Sequence, residues 1–178
     1  MTHPRRSFLH CLSLVALTGG LTGCGFALRQ NNEFAFKTLY TNFTATSPVG
    51  VELRRNLLGT GRIELLTDPK EMPRSDAILD ILSEDRQQVA VGVSATGQVR
   101  ELQLRLRVRF RLRTPQGLEL IAPTDLYQQR DLSFSETAAL SKEIEQGILY
   151  RDMQTDIVQQ IMRRLSAVKP QGLPAAKP

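Results

Sequence analysis

The sequence feature that most constrains the fold is a segment of alternating residues from Leu102 to Arg113. Successive side chains of a β-strand point to opposite faces, so the alternation predicts a strand with one apolar and one basic face. The apolar face carries Leu102, Leu104, Leu106, Val108, Phe110 and Leu112, and the other face carries Arg105, Arg107, Arg109, Arg111 and Arg113. Because a row of large apolar side chains needs a covering layer, we expect helices to pack on the apolar face.

Further strands and one helix are predicted beside this segment, which itself belongs to a strand over residues 99–114. Strands are expected over residues 36–42, 63–67, 77–93 (one strand or a bulged pair), 99–114 and 118–134. Ser47-Pro48 is typical of a helix start, and Gly59-Thr60-Gly61 indicates where that helix ends.

A long helix is predicted near the C-terminus, capped by Ser141 and ending near Val168. Its apolar residues repeat every four positions as Leu149, Met153, Ile157, Ile161 and Leu165, flanked by Ile144, Ile148, Val158 and Met162. Together these elements predict an α+β, two-layer sandwich. Two helices would pack on one face of a four- or five-stranded, mostly antiparallel sheet.

The N-terminal residues have the order of features found in a bacterial lipoprotein signal. Arg5-Arg6 precedes an apolar stretch from Phe8 to Leu21, which is too short for a membrane span of about 20 residues. The stretch ends in Leu21-Thr22-Gly23-Cys24, a lipobox. We therefore expect removal of residues 1–23 and an N-acyl diacylglycerol group on Cys24. The paired arginines leave general secretory and twin-arginine export both open.

Cleavage before Cys24 changes the chemistry that is available to the protein. Both histidines, His3 and His10, and the other cysteine, Cys11, would leave with the signal, and the formal charge would fall from +5 to +3. This loss excludes imidazole metal sites and histidine-dependent nucleophiles, so we expect neither enzymatic activity nor a cofactor. The 155 remaining residues suit one domain, over 24–168, followed by a disordered tail over 169–178.

Two interpretations of the five arginines remain open. They form either a solvated sheet face neutralised by Glu84 or Asp85 of the neighbouring strand, or a row that binds an anion. Arginine favours the second, because its planar fork binds phosphate bidentately. Nucleic acid is not expected as a partner of an exported lipoprotein. In a bacterial envelope the abundant phosphorylated ligand is lipopolysaccharide, so we expect binding through these arginines.

A family resemblance is carried by the two ends of the mature chain. Leu21-Thr22-Gly23-Cys24-Gly25-Phe26-Ala27-Leu28-Arg29 resembles the cleavage site and mature start of the lipopolysaccharide-assembly lipoprotein family LptE (RlpB), although Ala27 departs from the residue that is usual there. The segments 138–142, 152–153 and 160–165 are similar to the final helix of that family.

The resemblance implies a function without catalysis. A protein of this family is held by its lipid on the periplasmic side of the outer membrane, plugs and supports the assembly of the LptD β-barrel as a heterodimer, and assists lipopolysaccharide delivery. Gly25 is compatible with sorting to the outer membrane, and Lys142 becomes a further candidate for contact with anionic lipid. The alternative is a stand-alone envelope lipoprotein that binds peptidoglycan or another anionic polymer.

Overall fold

The computed structural model of the protein describes residues 33–44 and 46–169, with Glu136 described by its backbone alone. The predicted signal peptide, Cys24, the segment that resembles the mature start, and residues 170–178 of the predicted tail lie outside the described residues. The predictions made for them remain predictions. Within the described residues, no helix has the length and apolar character needed to cross a membrane.

The described strands form one five-stranded sheet. They are β1 (Thr38–Thr41), β2 (Glu64–Leu66), β3 (Ala77–Val93), β4 (Val99–Arg113) and β5 (Glu119–Ser133), in the spatial order β2-β1-β3-β4-β5. The long neighbours β3, β4 and β5 pair antiparallel, whereas β1 pairs parallel with both β2 and β3. The predicted α+β class is confirmed, and the sheet is mixed.

Tight turns join the three long strands, as their glycines indicate. Gly97 and Gly117 have φ angles of 81° and 92°, a left-handed conformation that glycine adopts without steric cost. Of the two predictions for residues 77–93, the single strand is correct. The pairing of β3 with β4 is irregular between Ile81 and Ser83 and again near Gly92, so β3 is one strand with bulges.

Two helices complete the layer that covers the sheet, α1 (Pro48–Gly59) and α2 (Ala139–Ser166). The predicted start of α1 is confirmed, because Ser47 Oγ accepts a hydrogen bond from the Gly50 N–H at 2.9 Å. The predicted Ser141 cap of α2 is wrong. A 3-10 helix over Glu136–Ala138 leads into α2, so Ser141 already lies inside the helix and its hydroxyl donates to the Ala138 carbonyl at 2.8 Å.

The main core lies between the helices and the apolar face of β4. Its β4 residues Leu104, Leu106, Val108, Phe110 and Leu112 are fully buried. From α2 it includes Met153, Ile157, Ile161 and Leu165, and from α1 it includes Val49, Leu53 and Leu57. The apolar stripe predicted for the last helix is therefore confirmed over its C-terminal half.

The N-terminal half of α2 differs from the prediction. Ile144 and Ile148 are 62% and 52% exposed, and Tyr150 is buried instead. The reason is the position of α1, which begins beside Gln154, where the Gln154 Nε2–H donates to the Pro48 carbonyl at 3.0 Å. We infer that the first turns of α2 extend beyond the start of α1.

A smaller apolar cluster lies apart from the main core. It joins Tyr40 of β1, Leu66 of β2 and Ile78 of β3, and Met72 packs against it from a 3-10 helix over Pro69–Arg74. Asp68 caps this 3-10 helix, because its Oδ1 accepts from the Lys70 N–H at 2.9 Å. The cluster stabilises the end of the sheet at which β1 and β2 pair.

Candidate functional site

The candidate site is the arginine face, which we define as Arg105, Arg107, Arg109, Arg111 and Arg113 of β4 with the residues opposite them on β3 and β5. Because β4 lies between two long strands, each arginine has cross-strand neighbours that can bind it. On β3 these include Asp80, Ser83, Asp85 and Gln87, and on β5 they include Glu119, Asp125, Tyr127 and Gln129. Each arginine except Arg105 therefore has one carboxylate residue opposite it, whereas Arg105 has a glutamine on both sides.

One end of the arginine face is a closed charge cluster. The Nε–H groups of Arg111 and Arg113 both donate to Asp80 Oδ2, each at 2.9 Å. The Asp80 side chain is only 10% exposed, and both arginines are partly buried. These two arginines already bind a poorly solvated carboxylate, so an anionic ligand would compete with Asp80 for them.

The middle of the arginine face is open to solvent. Arg107 Nε–H donates to Asp125 Oδ1 at 3.1 Å, and the Arg107 side chain is 57% exposed. Arg109 is exposed as well, and no carboxylate of the described residues lies within ion-pair distance of it. Arg105 Nε–H donates to the neutral side chain of Gln103 at 2.9 Å. These three guanidinium groups keep donors that an anion can reach.

The prediction that Glu84 neutralises the arginines is wrong. The bulge at Leu82 adds one residue to β3 and reverses the alternation after it, so that Glu84 pairs with Val108 on the helix-covered face. There its carboxylate accepts from the Ser47 hydroxyl at 2.5 Å and from the Val49 N–H at 3.5 Å, at the start of α1. Asp85 lies opposite Arg107, as an acidic neighbour of the arginine face.

Lys142 lies in the first turn of α2 and is bound to neighbouring side chains. Its Nζ–H groups donate to Ser133 Oγ at 3.0 Å and to Glu145 Oε2 at 2.9 Å, and its side chain is 20% exposed. These bonds place it at the end of β5. The structure does not bring it together with the arginines that bind Asp80 and Asp125.

Sequence reasoning missed a second group of arginines, on the opposite side of the sheet. A cleft of about 650 Å³ lies between α1, α2 and β3, and we call it the arginine cleft. Its lining includes Arg55, Arg86 and Arg151 together with Glu52, Tyr150 and Gln154. The three arginines come from three separate elements, and no local sequence pattern joins them.

Buried groups hold the inner wall of the arginine cleft in place. The Tyr150 hydroxyl donates to the Gln87 carbonyl at 2.8 Å, and the Arg86 guanidinium lies over the Tyr150 ring at 5.2 Å. Burial raises the pKa of Tyr150, and the nearby Arg86 cation opposes that shift. The Glu52 carboxylate accepts from Gln154 Nε2–H at 2.6 Å and from the Thr155 hydroxyl at 2.9 Å, which ties α1 to α2.

A comparison with known protein families identifies the fold. Residues 36–165 match the family model LptE, which is described as lipopolysaccharide-assembly. The chain belongs to the LptE family. Membership supports a role in lipopolysaccharide assembly as a lipoprotein of the cell envelope. In the part of the chain that the structure describes, no group of three or more His, Cys, Asp or Glu side chains could hold a metal ion.

Solved structures agree with this family assignment. The chain is similar to an uncharacterized lipoprotein B from Nitrosomonas europaea, with 34% identity, a TM-score of 0.67, and coverage of 80% of this chain and 91% of that one. A minor lipoprotein from Acinetobacter baumannii shares the fold at 24% identity and a TM-score of 0.60, covering 82% and 100% of the two chains. The rare lipoprotein B from Shewanella oneidensis shares it at 18% identity and a TM-score of 0.60, covering 74% and 95%.

Proposed function

We propose that this LptE-family protein is an outer-membrane lipoprotein that plugs an LptD-type β-barrel. As the smaller partner of a heterodimer, it supports assembly of the barrel and assists lipopolysaccharide delivery to the outer leaflet. The observation that carries this proposal is the match to the lipopolysaccharide-assembly family over residues 36–165, which includes every strand that the structure describes and nearly all of α2. The proposed role requires no catalytic step and no cofactor.

The distribution of polar and apolar groups supports the proposal. The core between the helices and the sheet is closed within the chain, so the domain does not need a partner to bury it. The arginine face leaves a surface of arginines, carboxylates and neutral polar side chains outside that core. Such a surface is suited to a hydrophilic barrel lumen or to a phosphorylated glycolipid, because both offer hydrogen-bonding partners and counter-charges.

Within the arginine face, we assign phosphate binding chiefly to Arg105, Arg107 and Arg109. Arg111 and Arg113 also belong to the row, but they share the buried Asp80 carboxylate and would have to give up part of that bond. Lys142 is the remaining candidate for anionic lipid. It lies near the end of β5 and would exchange its bond to Glu145 for one to the ligand.

The membrane anchor follows from the lipobox. We propose that Cys24 carries the N-acyl diacylglycerol group and holds the protein on the periplasmic side of the outer membrane, since two or more acyl chains suffice for stable anchoring. Cys24→Ser should abolish the acyl mass and leave residues 1–23 attached, both read by mass spectrometry of the intact protein. Cys11→Ser is the matched control and should leave acylation and cleavage unchanged. Unaltered acylation and cleavage of Cys24→Ser would refute the anchor.

Copurification tests the function itself. The tagged lipoprotein, extracted from its own cells in mild non-ionic detergent, should bring down an LptD-type barrel in equimolar amount, identified by mass spectrometry. A tagged unrelated outer-membrane lipoprotein provides the control for detergent carry-over. If no barrel copurifies and the protein is instead retained on purified peptidoglycan, the stand-alone envelope module replaces the proposed function.

A further inference from the structure

We infer that the arginine cleft is a second anion site, separate from the arginine face, and that it binds a phosphate group. The two sites lie on opposite sides of the sheet, because Arg86 pairs with Leu106 on the helix-covered face while Arg107 points to the other face. The cleft therefore does not take its charge from the arginine row of β4.

The cations of the cleft are not neutralised by the described carboxylates. Arg55 and Arg151 are exposed, and no carboxylate of the described residues lies within ion-pair distance of either. Arg86 has one distant contact, at 3.9 Å, to Glu84. Glu52, the carboxylate that lines the cleft, is buried and accepts from Gln154 and Thr155. Positive charge is thus in excess where a ligand would enter.

One of the three guanidinium groups is positioned in advance. Arg86 stacks on the buried Tyr150 ring, and its Nη2–H donates to Gln154 Oε1 at 3.3 Å. A guanidinium held by an aromatic ring and by a hydrogen bond loses little additional freedom when it binds a ligand, and Arg86 lines the cleft. Arg55 of α1 and Arg151 of α2 then supply charges from the two other walls.

Phosphate is the ligand class that this arrangement fits. A carboxylate offers two oxygens and is satisfied by one guanidinium fork, whereas a phosphate ester offers three oxygens and a charge of about −1.5 to −2. Arg55, Arg86 and Arg151 line one cleft of about 650 Å³ and together carry more N–H donors than one carboxylate can accept. The phosphate can belong to a glycolipid headgroup or to a soluble molecule. Only the glycolipid source rests on the proposed function.

Titration of the full-length lipoprotein with inorganic phosphate tests the site. The protein carries Arg105→Gln/Arg107→Gln/Arg109→Gln, which removes the phosphate-binding arginines assigned to the arginine face but none that line the cleft. It is held in non-ionic detergent at constant ionic strength, and binding is followed by phosphorus NMR. We expect saturable binding that Arg55→Gln/Arg151→Gln weakens at least about tenfold. Arg54→Gln/Arg163→Gln removes the same charge from exposed positions on the same two helices, outside the cleft, and should change the affinity less than about twofold.

Two results would overturn the inference. One is the absence of saturable phosphate binding by the protein with its cleft unmodified, and the other is an equal loss in the cleft variant and in its control. The four side chains substituted in these two variants are exposed, so unchanged circular dichroism and melting temperature are expected and exclude a folding defect. Arg151→Lys adds a check with the charge retained, and it should weaken binding through loss of the planar fork.

Competition identifies the source of the phosphate. Displacement of bound phosphate by bisphosphorylated lipid A, but not by its dephosphorylated form, assigns the cleft to the glycolipid. If neither form displaces phosphate from a cleft that binds it, the site takes a soluble phosphate ester. Both outcomes support the cleft, and neither depends on whether a barrel copurifies, so failure of this inference and failure of the proposed function can be told apart.

Discussion

The side chains on the two faces of β4 alternate with the same spacing, yet different interactions determine their environments. Every apolar side chain from Leu104 to Leu112 is fully buried, since burial is non-directional and any covering layer satisfies it. The arginines range from partly buried to exposed, because each depends on which side chain the neighbouring strand places opposite it. Alternation alone therefore determines the apolar face but not the environment of each charge.

The same comparison divides the arginine face itself. Arg111 and Arg113 converge on one buried carboxylate, whereas Arg107 meets the exposed Asp125 and Arg109 has no described carboxylate partner. We interpret the first end as part of the fold and the middle as the surface available to a ligand. The following substitutions test that division, from the largest expected effect to the smallest.

The two faces should differ most in stability. Leu106→Ala removes a fully buried side chain and should lower the free energy of unfolding by about 2–5 kcal/mol through lost burial and a cavity. Arg107→Ala, next to it on the exposed face, should cost less than about 1 kcal/mol. Urea unfolding followed by circular dichroism measures both. Comparable losses would contradict the separation of the two faces.

Substitutions of Asp80 and Asp125 should likewise differ in their effect on the free energy of unfolding. Asp80→Asn leaves two partly buried guanidinium groups without their anion and should cost about 1–3 kcal/mol, discounted for the solvent that still reaches them. Asp125→Asn affects an exposed pair and should cost less than about 0.5 kcal/mol. Equal and small losses in urea unfolding would show that the Asp80 end is no more structural than the middle.

Tyrosine provides a smaller contrast between the covered and exposed faces. Tyr150→Phe removes the bond to the Gln87 carbonyl and should cost about 1 kcal/mol, whereas Tyr127→Phe removes an exposed bond to Gln129 and should be nearly neutral. The raised pKa of Tyr150 adds a pH signature. Its contribution is fully present below the unfolded pKa of 10.0 and is lost as the pH rises through the folded pKa. Unfolding measured above pH 10 should show this loss in the parent and not in Tyr150→Phe.

Local patterns in the sequence predicted most of the fold. The alternation in β4, the four-residue repeat in α2 and the Ser47-Pro48 start each depend on neighbours along the chain, and the structure confirms them. The pattern places Ile144 and Ile148 beside the apolar stripe, but both side chains are exposed. Their burial depends on where α1 begins beside α2. That position is set by tertiary packing.

Local sequence patterns could not predict which side chains pair with the arginines. A single extra residue at Leu82 moves Glu84 to the covered face, and neither glycine nor proline lies near that bulge to indicate it. Asp80 was missed as the partner of Arg111 and Arg113 because the register of β3 on β4 decides which carboxylate lies opposite. The arginine cleft was missed because Arg55, Arg86 and Arg151 meet only in three dimensions.

Glycolipid binding by Arg107→Glu/Arg109→Glu tests most directly whether the middle of the arginine face is a binding surface. We predict at least about fivefold weaker binding to bisphosphorylated lipid A in detergent, with the free energy of unfolding changed by less than about 1 kcal/mol. Arg54→Glu/Arg163→Glu, with the same change in net charge on exposed helix positions, should bind within about twofold of the parent. Both variants are compared in an Arg55→Gln/Arg151→Gln background, so that the arginine cleft does not contribute. Unchanged lipid A binding by a folded Arg107→Glu/Arg109→Glu protein in that background would contradict the role of the arginine face.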